Sequence, residues 1–173
     1  MPTRRLLGVL VAATTLWGSA LATAAPASVC PSQERIRPLA VTTLCLINEA
    51  RVRHGASRLR PDRRLRTAAR RHSRDMVAHR YLSHDSRSGR SFVARIARTG
   101  WMRGRRRWKV GETIAWHRAP ATPRSIVRAW LRSAPHRHVL LDPRLRVVGI
   151  GIVSGTPFGS EADGATYTAD FGS

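Results

Sequence analysis

The chain has 173 residues, with 31 basic against 10 acidic side chains and a formal net charge of +21. With 42% hydrophobic and 24% charged residues it can build one packed core, which excludes a wholly disordered protein, and its length suits a single domain. Two cysteines exclude a disulfide-dense miniprotein and a Cys-rich zinc ribbon.

Residues 1–24 read as a removable signal peptide. Arg4 and Arg5 give a basic start, and Ala22-Thr23-Ala24 has the small-x-small form that precedes signal-peptidase cleavage. The apolar run Leu6–Trp17 between them is shorter than the roughly 20 residues that span a bilayer. An uncleaved anchor is the alternative. Export carries Cys30 and Cys45 into an oxidising compartment, where a disulfide is the default and two inert thiols the alternative. The bridge would close a loop of about 15 residues and contribute about 3 kcal/mol in the chain-entropy view. It would tie an N-terminal arm, residues 25–42, to the first helix.

That helix is expected over Val41–His54, where Leu44, Ile47 and Val52 recur on one side and Gly55 can end it. Ala56–Pro61 reads as a connector. Asp62 is a good N-cap for a second helix to about Arg80, with Leu65, Ala69, His72, Met76 and His79 forming one stripe. On that stripe His72 is expected to be a hydrogen-bonded core histidine. Tyr81–Gly89 is a loop, Ser91–Thr99 a third helix stopped by Gly100, and Trp101–Val110 a basic, aperiodic and exposed loop. Gly111–Ala115 reads as a short strand. Thr122-Pro123 starts a helix whose apolar residues Ile126, Val127, Trp130 and Leu131 run until Pro135 breaks it. Val147–Val153 and Ala165–Phe171 are two strands rich in Val, Ile, Tyr and Thr. Helices first and a late hairpin predict an α+β fold.

All the basic residues except Lys109 are arginines, spread along the chain without interleaved aromatics. That pattern resembles composition bias more than a nucleic-acid interface, so no specific nucleic-acid partner is expected. The charge would still attract anionic envelope polymers or lipids in a salt-dependent way. No His-Glu-x-x-His helix, Gly-x-Ser-x-Gly elbow or phosphate loop is present. What remains are His84, Glu112 and His136 at element ends, beside Gly, Pro or Ser, where side chains project into clefts.

Six short motifs occur in order. They are Leu46-Ile47-Asn48-Glu49-Ala50-Arg51, Ser83-His84-Asp85-Ser86, Val110-Gly111-Glu112-Thr113-Ile114-Ala115, Trp130-Leu131-Arg132-Ser133-Ala134-Pro135-His136-Arg137, Val148-Gly149-Ile150-Gly151 and Asp170-Phe171-Gly172. The series resembles bacterial members of the CAP superfamily, the cysteine-rich secretory, antigen 5 and pathogenesis-related 1 group with its SCP-like extracellular domain. The resemblance places that domain at residues 43–173. It implies an α-β-α sandwich, in which helices flank a small antiparallel sheet. It also implies a central cleft of two histidines and acidic residues that binds zinc or another divalent cation in some members. By motif, His84 and His136 match the histidines and Glu112 the acid. Thr113 stands where the family usually has Asn, and Ser133 where many eukaryotic members have a second Glu. Asp85 and Ser133 are left as second-shell candidates.

Two imidazoles and one carboxylate suit zinc with an open fourth position, but Glu112 cannot easily serve as both ligand and general base. A hydrogen-bonded network holding three loops together is the alternative for the same trio. His138 is expected at the surface. The leading expectation is a secreted protein that acts by binding lipid, envelope polymer or metal. The alternatives are a metal-dependent hydrolase using His84, Glu112 and His136, and a cationic binder of anionic envelope polymers. With no long apolar stripe unassigned, a monomer is expected.

Overall fold

A computed structural model describes residues 30, 36–118, 122–159 and 164–173. The expected signal peptide, residues 1–24, and the arm residues 25–29 and 31–35 lie outside the described residues. The chain forms helices α1 (Ile36–Arg53), α2 (Arg63–His79), α3 (Phe92–Arg98), α4 (Pro123–Arg132) and α5 (Ala134–Leu141). Its strands are β1 (Arg60–Pro61), β2 (Val110–His117), β3 (Val147–Ser154) and β4 (Ala165–Gly172). They join in one sheet of order β1-β3-β4-β2. The expected α+β class and layered sandwich are both present.

Strand alternation divides the sheet into two faces. Val148, Ile150 and Ile152 of β3, with Tyr167, Ala169 and Phe171 of β4, enter the main core. They meet Ile47 of α1, Ile126 and Trp130 of α4 and Leu140 of α5 there. The other face carries Gly149 and Gly151, and α2 lies directly on them. A Cβ at Gly149 would stand 1.9 Å from the Arg66 backbone nitrogen, and one at Gly151 2.2 Å from that of Arg70. The Ser73 hydroxyl of α2 donates to the Gly151 carbonyl at 3.0 Å and lies 2.8 Å from the Thr168 hydroxyl. Asp62 caps α2 by accepting from the backbone N–H groups of Arg64 and Leu65, and its second oxygen accepts from Trp101 Nε1 at 3.1 Å.

Arg51, at the end of α1, is fully buried. Its guanidinium donates to the carbonyls of Ser57 (2.7 Å), Leu140 (2.6 Å), Asp142 (3.1 Å) and Leu145 (3.1 Å). It thereby satisfies carbonyls that the end of α5 and the turn after it would otherwise bury unpaired. A disulfide joins Cys30 to Cys45 of α1.

Five details differ from the sequence reading. Helix α1 begins at Ile36 rather than Val41, because Pro38 falls in the first turn, where a missing N–H leaves no intrahelical bond unmade. Residues 36–42, expected in the arm, are therefore its first turns. The connector Ala56–Pro61 contains β1, which pairs parallel with β3, so the sheet is mixed rather than wholly antiparallel. Pro135 does not end helical structure: it occupies the first turn of α5, a position proline tolerates. Trp101, expected in an exposed loop, is buried with the Arg105 guanidinium 4.2 Å from its ring centroid.

Because backbone atoms of α2 fill the space above β3, no side-chain rearrangement can admit a methyl group there. Gly149→Ala and Gly151→Ala are each expected to lower unfolding free energy by about 3 kcal/mol or more, measured by urea denaturation. A loss below about 1 kcal/mol in both would show that α2 does not rest on these glycines.

Candidate functional site

The predicted trio comes from three elements, with His84 in contact with Glu112 and near enough to His136 to act on its charge. His84 lies in the loop after α2, Glu112 in β2 and His136 in the first turn of α5. Helix α5 sits close on β2 at Gly111, where a Cβ would be 2.8 Å from Val139 Cγ1. The residue before Glu112 therefore has to be small for α5 to pack this close to β2.

His84 Nδ1 is 2.8 Å from Glu112 Oε1, and Arg95 of α3 donates to Glu112 Oε2 at 2.5 Å. The Glu112 side chain is wholly buried and that of His84 about half exposed. Arg95 also donates to the His84 carbonyl at 2.7 Å and to the Ser86 hydroxyl at 3.3 Å, fixing the loop that carries the histidine. Burial works to raise the Glu112 pKa, but the His84 hydrogen bond and the Arg95 charge outweigh it and hold the carboxyl below its ordinary range. The His136 pKa is lowered, by burial first and then by His84, so its imidazole is neutral at pH 7.

Sequence reasoning missed two participants and the contribution of a third to the site. Arg95 carried no signal among so many arginines. Asp170 pairs with Glu112 across the β2–β4 ladder and is completely buried, with no donor on either oxygen and its side-chain hydrogen bond made to Glu112. Burial, and then the neighbouring Glu112 charge, raise its pKa well above the usual value, so it holds its proton. Alternation in β4 could have revealed it, since Asp170 falls on the face of Thr166 and Thr168 and opposite Tyr167, Ala169 and Phe171. The third is His72, a packed histidine as expected, whose Nε2 donates to the Ser83 carbonyl at 2.8 Å and so steadies the same loop.

The second-shell candidates are placed differently. Asp85 is exposed, with its backbone N–H on the Ser83 hydroxyl. Ser133 forms the joint between α4 and α5, where its backbone N–H caps α4. His138 is exposed, and because α5 is helical it does not share the face of His136.

A three-donor zinc site with Glu112 as ligand does not fit this arrangement. Both Glu112 oxygens are engaged, one of them by a guanidinium. Among the described residues, three ligating side chains lie within 4.8 Å of one another only at Cys30, Cys45 and Glu49, where the two sulfurs are already bonded to each other. The donor chemistry left over is that of the two imidazoles. Glu112 on His84 Nδ1 would then be the outer carboxylate that commonly orients a metal-bound histidine.

An α-β-α sandwich with a glutamate buried on its edge strand and held by a histidine defines a class of domain. A sequence model of the cysteine-rich secretory protein family, CAP, matches residues 44–171, and the chain belongs to that family. It is 30% identical over 132 residues to the Bacillus subtilis (strain 168) protein YkwD, covering 76% of this chain and 46% of that one. An extracellular SCP-domain protein of Bacillus anthracis superposes with a TM-score of 0.62 at 24% identity, over 82% of this chain and 44% of the other. An outer surface protein of Borrelia burgdorferi gives 0.60 at 19% identity, over 75% and 87%. The chain thus spans less than half the length of the first two relatives.

The two acids make opposite contributions to the pH dependence of stability. Glu112, with a depressed folded pKa, contributes stability above its unfolded value of 4.5 that is lost as pH falls through the folded pKa. Asp170, with a raised folded pKa, favours the folded state below 3.8 and loses that contribution as pH rises. In urea unfolding from pH 3 to 7, the stability of Asp170→Asn relative to wild type is expected to climb with pH. A constant difference would mean that Asp170 is ionised in the folded protein.

Proposed function

We propose that this chain is an exported protein that acts outside the cell by binding, and that the His84–His136 cleft is where it binds. Support for the location comes from family membership, from relatives described as extracellular or outer-surface proteins, and from the basic and apolar pattern of residues 1–24. Among the described residues no helix is long and apolar enough to cross a membrane.

The observation that carries the reading is the state of Glu112. A general base must be free to take a proton in the reacting geometry. Glu112 is instead held by His84 on one oxygen and Arg95 on the other, with its charge already balanced. Its neighbour Asp170 keeps a proton and points no free carboxylate into the cleft. This supports a binding site over the hydrolase alternative. His84, half exposed, and His136 present imidazole nitrogens to a ligand, while Glu112 and Arg95 fix the orientation of His84. A divalent cation held by the two imidazoles would supply a positive centre for an oxygen-bearing partner. Anionic envelope polymer or lipid headgroups fit both that centre and the net charge of +21.

Zinc titration of the secreted protein by calorimetry tests the cleft. Wild type is expected to take up zinc, His84→Ala and His136→Ala to abolish uptake, and Glu112→Gln to weaken it by about tenfold or more, as loss of an orienting carboxylate does. Uptake that survives both histidine changes, or no uptake by wild type, would remove the cation from this reading.

A further inference from the structure

A hollow of about 640 Å³ lies between α2, α3 and the loop joining them, with Arg95 in its lining. Five arginines line it: Arg71, Arg87, Arg90, Arg95 and Arg98. We propose that this hollow is an anion site that takes a compact ligand bearing two or more phosphate groups. The inference deepens the anionic-partner reading above, on which it rests, and the hollow shares Arg95 with the Glu112 network.

The charge arrangement argues for a ligand. Arg71, Arg87, Arg90 and Arg98 are exposed and make no side-chain hydrogen bond or ion pair to any described residue. Four unpaired guanidinium groups around one concavity repel one another, a cost that a bound anion turns into attraction. Among the described lining residues the one carboxylate is Asp75, which is already engaged by the Tyr81 hydroxyl and by His79 at 2.9 Å. It therefore offsets little of the positive field.

Hydrogen-bonding capacity points the same way. Arg95, held in place by Glu112 and the His84 carbonyl, puts a fixed positive charge in the wall of the hollow. The Ser86 and Ser88 side chains add hydroxyl groups at the rim. Planar guanidinium forks match phosphate oxygens in pairs, which a lysine cluster would not do, and the volume suits a small molecule or a headgroup. A single phosphate would engage two of the arginines, and several phosphates are needed to satisfy the set.

Calorimetry with inorganic tripolyphosphate and the full secreted chain, at about 0.15 M salt to screen diffuse attraction, tests the site. Arg71→Gln combined with Arg98→Gln is expected to weaken binding by about tenfold or more, the loss of two charge-assisted hydrogen bonds. Arg124→Gln combined with Arg128→Gln removes the same charge from exposed positions on α4 and is expected to change affinity less than about twofold. Equal weakening by both pairs would overturn the site while leaving the general anionic-partner reading intact. No binding of tripolyphosphate by wild type would overturn it as well. Vesicles of phosphatidylcholine with phosphatidylinositol bisphosphate, whose headgroup carries more than one phosphate, form the second arm. Retention lost in the Arg71/Arg98 pair makes a lipid headgroup the source. Retention unchanged in that pair, with tripolyphosphate binding lost, makes it a soluble phosphate compound.

Discussion

The near-contact of α2 with the glycines of β3 is the constraint on which the rest of this structure depends. Without side chains at Gly149 and Gly151, a helix backbone can lie directly on a strand, and Ser73 can reach across to the sheet. Everything functional on that side follows from the helix's position. His72 projects from it to hold the Ser83 carbonyl, and that loop delivers His84 to Glu112. The arginine-lined hollow has the same helix as one of its walls. Had the strand carried alanines, α2 would stand further off and its ties to the sheet would be out of reach.

Charge is handled differently on the two sides of Arg95. Toward the sheet, its guanidinium meets a buried carboxylate that also has His84, while the adjacent Asp170 stays neutral because two ionised acids cannot share so dry a place. Toward the loop between α2 and α3, similar guanidinium groups stand without partners. The first arrangement is closed and self-sufficient, which is why it reads as a positioning device. The second is open, and its balance has to come from outside the molecule.

Much of this fold was legible because its signals are local. Asp62 and Thr122 are caps whose side chains make the bonds their positions predict, and the stripe from Leu65 to Met76 is buried as its spacing requires, whereas His79 at its end is exposed. The late hairpin followed from β-branched and aromatic runs. What escaped was set by distant partners. Two-residue β1 exists only because β3 offers it an edge, and Pro135 was misread because proline at a helix start and at a helix end look alike in sequence. The cleft trio could be named from motif order, but the roles within it could not. Nothing local marks Arg95 as the cation that meets Glu112, or Asp170 as an acid deprived of donors.

Arg51 has a consequence for the conditions the protein can endure. It fastens the C-terminal end of α5, the helix that bears His136, by donating only to backbone carbonyls. A guanidinium does not titrate in any medium that leaves a protein intact, and amide oxygens do not either. The fastening is thus indifferent to acidity, whereas the His136 imidazole carried by the same helix is not. A milieu that turns sour or alkaline would reset the ionic character of the cleft while its framework stayed put, a sensible division of labour for a molecule that cannot choose its surroundings.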